Sequence, residues 1–364
     1  MLSALFLSLL ACTASCTPVQ PKPKPPTQPP VPPQQPGGPP KPPAPSPRPL
    51  PSTYTWNSTG LLIGPDPATD IAALKDPSII FFEGKYHVFA STARADGYNL
   101  AYLSFPTFSA ASNASITYLD TTPIGPGYRA APEVFYFGPQ KLWYLVYQNG
   151  NAAYSTNPDI NDPQGWTAPV NFYPNGTPQI ILDNIGAGYW VDMWVICDDA
   201  NCHLFSSDDN GQLYRSQTTL ADFPNGMSEP VIALQDADRF RLFEASNVYA
   251  VDKGQYLLLV EAIGTDGFRY FRSWTATDLA GNWTALAAEE DLPFAKSTNV
   301  IFTDGVEWTK SISHGEIVRR EVDQRLKISR CGWEYLYQGL APDATGDYNS
   351  LPWKLGLLTQ TSSC

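Results

Sequence analysis

Residues 74–92 read LKDPSIIFFEGKYHVFAST: an apolar run, a polar turn, and a second apolar run ending in Ser-Thr. β-Branched and aromatic residues fill both runs, which marks them as paired strands. The second run, YHVFAST from Tyr86, has four counterparts: LWYLVYQ from Leu142, CHLFSS from Cys202, QYLLLVEAIG from Gln255 and WEYLYQG from Trp333. The five starts lie roughly 50 to 80 residues apart, which suits four-stranded blades carrying long loops. A blade cannot bury both of its faces alone, so such repeats stack radially. The expected fold is all-β, a five-bladed β-propeller over residues 53–364. Its chemistry is expected at the mouth of the axis, where the innermost strands converge.

The first 52 residues read differently. Residues 1–16 (MLSALFLSLLACTASC) form an apolar run with small residues at its end, read as a secretory signal peptide. A loose Leu-Leu-Ala-Cys match ending at Cys12 leaves a lipid anchor as the alternative reading. The run is short for a membrane span, and no later stretch qualifies. Residues 17–52 are dominated by Pro and lack the apolar side chains that would offset the cost of ordering, so a disordered, extended linker is expected. Sequons at Asn57, Asn113, Asn175 and Asn282 agree with a secreted glycoprotein. Without the leader, four cysteines remain. Cys197–Cys202 with Cys331–Cys364 is the simplest pairing, and the two other pairings stay open.

Charge narrows the function classes. The formal net charge is −12, and no basic patch breaks it, which argues against nucleic acid or an anionic membrane as partner. Charged residues make up 16% of the chain and aromatics 13%, a balance that suits a rigid scaffold with sugar-stacking rings. No phosphate-binding glycine loop and no GxSxG elbow occurs. Three histidines (His87, His203, His314) are too few for a zinc site built from several imidazoles.

The acids are more telling. About ten residues upstream of four of the marker strands, where an inner strand should begin, stand Asp76 (KDPSIIFF), Glu133 (APEVFYF), Asp192 (VDMWVIC) and Glu244 (FEASNVY). The fifth repeat offers His314 and Glu316 (KSISHGEIV). Crowding carboxylates beside one axis is costly, because burial and like charge both resist ionisation. Glycoside hydrolysis is a chemistry that needs such crowding: one carboxyl donates a proton while another activates water or attacks. A metal site or a set of structurally satisfied acids is the competing reading.

Several long segments, among them LKDPSIIFFEGKYHVFAST, WVDMWVICDDANCHLFSSDDNGQLYRSQT, LFEASNVY, WTKSISHGE and GDYNSLPWKLGLLTQ, resemble the α-L-arabinofuranosidases of glycoside hydrolase family 62. The resemblance runs from about residue 53 to the end. It implies an exo-acting, inverting enzyme that removes L-arabinofuranose from arabinoxylan. It implies Asp76 as general base, Glu244 as general acid, and Asp192 as the acid that orients substrate and tunes the donor. Tyr348 and Asn349 would line the sugar pocket, with Lys75, Met193 and Arg272 as further contributors. His314 would hold a calcium ion near the axis, mostly through waters; no cofactor is required for the chemistry. Glu133 receives no catalytic role. Tyr189 and Trp190 are candidates for stacking on the xylan main chain. A monomer is expected. The alternatives are a related propeller β-xylosidase or endo-arabinanase, and a non-catalytic sugar-binding propeller.

Overall fold

The computed structural model describes residues 49–363. The leader, the linker up to residue 48 and Cys364, hence the expected Cys331–Cys364 bond, lie outside the described residues. Five sheets of four or five strands form the blades, antiparallel throughout except where Trp56–Ser58 runs parallel to Val300–Phe302. Their inner strands are Ala73–Phe82, Ala130–Phe137, Val191–Cys197, Glu244–Asp252 and Ser313–Ile317. The marker runs form the second strand of each blade, hydrogen-bonded directly to the inner one. Inner strands are flanked by protein on both faces, and so they read as nearly unbroken apolar runs instead of alternating ones. A short helix, Gln179–Asn184, is the one α-helix among the described residues.

The last blade closes the ring. Its sheet runs Ser313–Ile317, Glu334–Gly339, Lys354–Gln360, Trp56–Ser58 and Val300–Phe302, so the start of the domain pairs with its end. Trp56 is fully buried there, and its indole N–H donates to the Phe294 carbonyl at 2.7 Å. Closure joins the two ends of the packed chain in one blade, and the radial array leaves only the short outer strand of each blade as an edge. Leu50 is also buried, so the packed chain starts a few residues before the expected boundary at residue 53. Cys197 and Cys202 are bonded across the hairpin of the third blade.

Segment 319–328 covers one end of the axis. The carbonyls of Arg319, Val322, Gln324 and Leu326 accept in turn from the N–H groups of Phe81, Tyr136, Cys197 and Ala250, each near the end of a different inner strand. The opposite end, where the inner strands begin, stays open.

Candidate active site

The open end is shaped by one irregularity used five times. Pairing between inner and second strands slips between Lys75 and Ser78, Ala130 and Glu133, Val191 and Trp194, Glu244 and Asn247, and Ser313 and Gly315. These are β-bulges, which free one residue from the ladder and re-aim its neighbours. Four of them hold a non-glycine residue at positive φ: Asp76 (48°), Ala131 (51°), Asp192 (58°) and Ala245 (56°). Such a backbone is strained by roughly 1–3 kcal/mol, and must be held from outside.

It is held by the preceding blade. The freed N–H of Asp76 donates to Gln338 Oε1 (2.6 Å), Ala131 to Ser91 Oγ (2.8 Å), Asp192 to Gln148 Oε1 (2.7 Å) and His314 to Glu261 Oε2 (2.6 Å). At the fourth seam Asp192 Oδ2 takes the N–H of Ala245 at 2.6 Å. A deeper ring runs parallel: Val134 N–H to Ser78, Val195 N–H to Glu133, Trp194 indole to the Val248 carbonyl, Ile317 N–H to Tyr249, and Ile79 N–H to Glu316. Glu133 therefore belongs to the scaffold. Burial pushes its carboxyl well above the usual range.

Above these rings lies a cavity of about 670 Å³ lined by Asp76, Asp192 and Glu244 together. Lys75, Tyr348, Asn349 and His314 join them, as do Tyr98, Tyr128, Gln148 and Asp209. Three acids from three blades thus meet in one recess, 116 and 52 residues apart along the chain by their numbers in the sequence. His314 Nδ1 faces Asp76 Oδ1 at 3.4 Å and Asp192 Oδ1 at 3.9 Å. Gly315 next to it is required: a Cβ there would overlap the Leu336 carbonyl.

Two expected contributors lie elsewhere. Met193 is buried in the hydrophobic core and does not line the cavity. Arg272 packs over Trp274 on the outer side of the fourth blade, donating to the carbonyls of Ala288 (2.5 Å) and Arg241. The arginine that meets the acids is Arg269, three residues earlier. Its Nη1 donates to Glu244 and to Glu261 Oε1 (2.6 Å). Sequence reasoning missed Arg269, Glu261 and Asp209. Of the two candidate stacking aromatics, Tyr189 is 72% exposed at the rim, while Trp190 is buried with its indole N–H on Ser206 Oγ.

The recess holds more acid than base. Asp76, Asp192, Asp209 and Glu244 line it, with Glu261 buried behind Glu244, and the basic groups set against them are Lys75, Arg269 and the His314 ring. Burial first, then the charges of Glu244 and Asp76, push the Asp192 carboxyl well above the usual range. Burial raises Glu261 to about 7, with Arg269 pulling the other way. Burial, Glu244 and Asp192 raise Asp209 to about 9. Burial also opposes the Arg269 charge, but Glu244 and Glu261 outweigh it and hold the guanidinium charged. Lys75 behaves alike: Asp76 and the Tyr348 and Tyr98 hydroxyls overcome desolvation and raise its pKa. Burial and like charge thus make the Asp192, Asp209 and Glu261 carboxyls hold their protons to higher pH than they would in water. Among the described residues no three His, Cys, Asp or Glu side chains converge as a metal-ligand group. The donor set does not fit a directly chelated ion; the His314 ring beside two carboxyls fits a cation held mostly by water.

Residues 55–359 match the sequence profile described as Glycosyl hydrolase family 62. The catalytic domain of a Coprinopsis cinerea GH62 α-L-arabinofuranosidase is 64% identical, with a TM-score of 0.84, covering 86% of this chain and 98% of that one. A GH62 hydrolase solved with xylotriose is 58% identical, with a TM-score of 0.83, covering 85% and 98%. Alpha-L-arabinofuranosidase C of Cellvibrio japonicus (strain Ueda107) is 42% identical over 311 residues, 83% of this chain. This chain spans only 46% of that relative's length. With the bulged acids, the closed five-blade ring and a profile match across the whole packed domain, the chain belongs to glycosyl hydrolase family 62.

Proposed function

We propose that the protein is an exo-acting, inverting α-L-arabinofuranosidase that removes L-arabinofuranose side chains from arabinoxylan. The observation that carries this reading is the meeting of Asp76, Asp192 and Glu244 in one cavity at the open end of the axis. Family membership and relatives named as α-L-arabinofuranosidases support it, and a relative solved with xylotriose supports a xylan main chain lying near the rim.

In this reading Glu244 protonates the oxygen between arabinose and xylose, and Asp76 takes a proton from a water attacking the anomeric carbon from the other face. Room for that water calls for about 6.5 to 9.5 Å between the two carboxyls in the substrate complex. Asp192, with one oxygen on the Ala245 N–H, turns the other toward the cavity side of His314, where it orients the sugar. Lys75 and Arg269 offset the negative charge around the two working acids. Tyr348 and Asn349 complete the arabinose wall, and exposed Tyr189 offers a stacking face for xylose. A calcium ion, if bound, would sit at His314 and supply positive charge beside Asp76 and Asp192. The leader sequence and the excess negative charge fit a secreted monomer acting on a neutral polymer.

Incubation with wheat arabinoxylan, followed by proton NMR, tests the proposal. Free arabinose should appear first as the anomer of inverted configuration, without xylose oligomers. Asp76→Ala and Glu244→Ala should each abolish release with the fold intact. Xylo- or arabino-oligosaccharide products, or near-normal release by either variant, would sink the assignment.

A further inference from the structure

Tyr128 lines the cavity at its lip, 42% exposed, and none of the roles assigned so far uses its phenol. The backbone that carries it is pinned to the first blade. The N–H of Arg129 donates to the Tyr98 carbonyl at 3.2 Å, and the Asn99 amide donates to the carbonyls of Gly125 (3.2 Å) and Gly127 (2.7 Å). Gly127 takes a φ of 99°, which a residue with a Cβ would resist. The Arg129 side chain closes back on the Tyr128 carbonyl at 2.7 Å. The Tyr98 ring meets the Tyr128 ring edge to face, with centroids 6.2 Å apart and planes at 88°. Tyr98 is itself held against the Lys75 ammonium, 5.0 Å away. The phenol is therefore set in place by its own surroundings.

The direction of its hydrogen bond is set as well. A glutamine amide offers an oxygen that only accepts and a nitrogen that only donates. Gln148 Oε1 is committed to the Asp192 N–H at the bulge, at 2.7 Å. Its Nε2 is therefore the atom that meets the Tyr128 hydroxyl, at 2.5 Å. The Tyr128 oxygen must accept there, which leaves its own proton for another partner. Among the described residues this hydroxyl makes no second hydrogen bond. Burial pushes the phenol up to about 12, so it keeps that proton at neutral pH. The run from Asp192 N–H through Gln148 to Tyr128 ends in an unspent O–H at the cavity wall.

The recess beside it is rich in acceptors: Asp76, Asp192, Asp209 and Glu244. Sugar hydroxyls can donate to these, but acetal oxygens carry no proton and need a donor from the protein. The oxygen joining arabinose to xylose takes its proton from Glu244 in the reading above. A donor on the arabinofuranose ring oxygen would oppose the positive charge that develops there in the transition state. The acetal oxygens of the xylan main chain remain, and a polymer that stays outside the pocket has to cross its lip. We propose that Tyr128 binds the xylan main chain, its hydroxyl donating to an acetal oxygen of a xylose unit at the lip of the cavity. The proposal rests on arabinoxylan being the substrate.

Tyr128→Phe keeps the ring and removes only the donor. Calorimetric titration with xylotetraose, a main-chain fragment without arabinose, should show binding about fivefold weaker than in the parent. The inhibition constant of L-arabinose, which fills only the pocket, should stay within about twofold. On arabinoxylan the loss should fall on KM, about fivefold, with kcat within about twofold. A phenol that merely props Gln148 would behave otherwise: its removal would loosen the Asp192 bulge and lower kcat, with xylotetraose affinity unmoved. That pattern, or L-arabinose weakened as much as xylotetraose, would overturn the proposal. The parent separates this reading from the one beneath it. A parent that neither binds xylotetraose nor releases arabinose removes the substrate assignment and this proposal with it. A parent that does both, beside a Phe variant that binds xylotetraose equally well, removes the role of Tyr128 alone.

Discussion

Asp192 Oδ2 accepts the backbone N–H of Ala245 at 2.6 Å, and this bond ties the third blade to the residue next to Glu244. At the other four seams the same task falls to a second-strand side chain: Gln338, Ser91, Gln148 or Glu261. The third blade's counterpart is Ser207, which pairs with Val191 just before the bulge. Its hydroxyl is buried without a partner. One oxygen of a candidate catalytic acid has taken over a scaffold position, so the spacing of Asp192 and Glu244 is set by the seam itself.

Replacing that oxygen should separate the two tasks. Asp192→Asn keeps an acceptor for Ala245 and removes a buried ionisable group, so its thermal midpoint at neutral pH should match or exceed the parent's. Asp192→Ala leaves the Ala245 N–H unmet in a buried seam, which costs about 1–3 kcal/mol. Both variants should lose arabinose release. Calorimetry on the pair checks the point, and equal midpoints for Asn and Ala would refute a seam role.

Much of this was legible in the sequence, and the rest failed for geometric reasons. The blades could be read because inner and second strands carry long runs of β-branched and aromatic residues bounded by turn residues. Asp76 and Asp192 could be found because they occupy equivalent bulges. Counting ten residues back also returned Glu133, which is the first paired residue after its bulge; the true counterpart of Asp76 there is Ala131, two residues earlier. A count cannot see that one residue has been inserted into the ladder. Asp209 escaped because it follows a second strand, and its DDNG context reads simply as a turn. Segment 319–328 carries no periodic signal, since its role depends on four strand ends that meet only after the ring closes.

Stability should fall as pH rises above neutral. Glu261 is raised to about 7 and Asp209 to about 9, and burial holds Asp192 and Glu133 well up as well. A raised carboxyl binds its proton more tightly folded than unfolded, so its contribution is fully present only below the unfolded value. It is lost as pH climbs through the folded one. His87 and His203, lowered by burial, act in the opposite sense, and only as pH drops toward and below their ordinary value of 6.5. Between about pH 6 and about pH 9 the carboxyls dominate, and the melting temperature should decline steadily. A flat or rising profile over that window would contradict the buried protons.

Lys75 sits in an aromatic enclosure, 4.4 Å over the Tyr348 ring, 5.0 Å over Tyr98 and 5.9 Å over Trp353, with its Nζ 3.2 Å from the Tyr348 hydroxyl. The rings hold the ammonium beside Asp76, where the proposed mechanism has charge develop during attack. Lys75→Met should lower kcat/KM on arabinoxylan by about 100-fold, whereas Tyr348→Phe, which keeps the ring and loses only the hydroxyl, should cost about tenfold or less. Steady-state kinetics on the two variants decide this, and a Phe variant worse than the Met variant would reverse the order of importance.

Arg269 and Arg272 stand on one strand, Arg269–Ala276, three residues apart. An odd separation places two side chains on opposite faces of a sheet. One face looks to the acids and the other to the neighbouring loops, so the two arginines cannot share a task. Removing Arg269 strips the counter-charge from Glu244 and from fully buried Glu261. Arg269→Met should abolish arabinose release and destabilise the fold by about 3–5 kcal/mol, because a buried charge is left unpaired. Removing Arg272 frees the Ala288 and Arg241 carbonyls and uncovers Trp274. Arg272→Met should cost stability by about 2 kcal/mol, yet leave kcat within about threefold below the melting range. Thermal unfolding and kinetics measured on the same preparations separate the cases. If Arg272→Met silences a folded enzyme while Arg269→Met turns over normally, the two faces of this strand have been assigned the wrong way round.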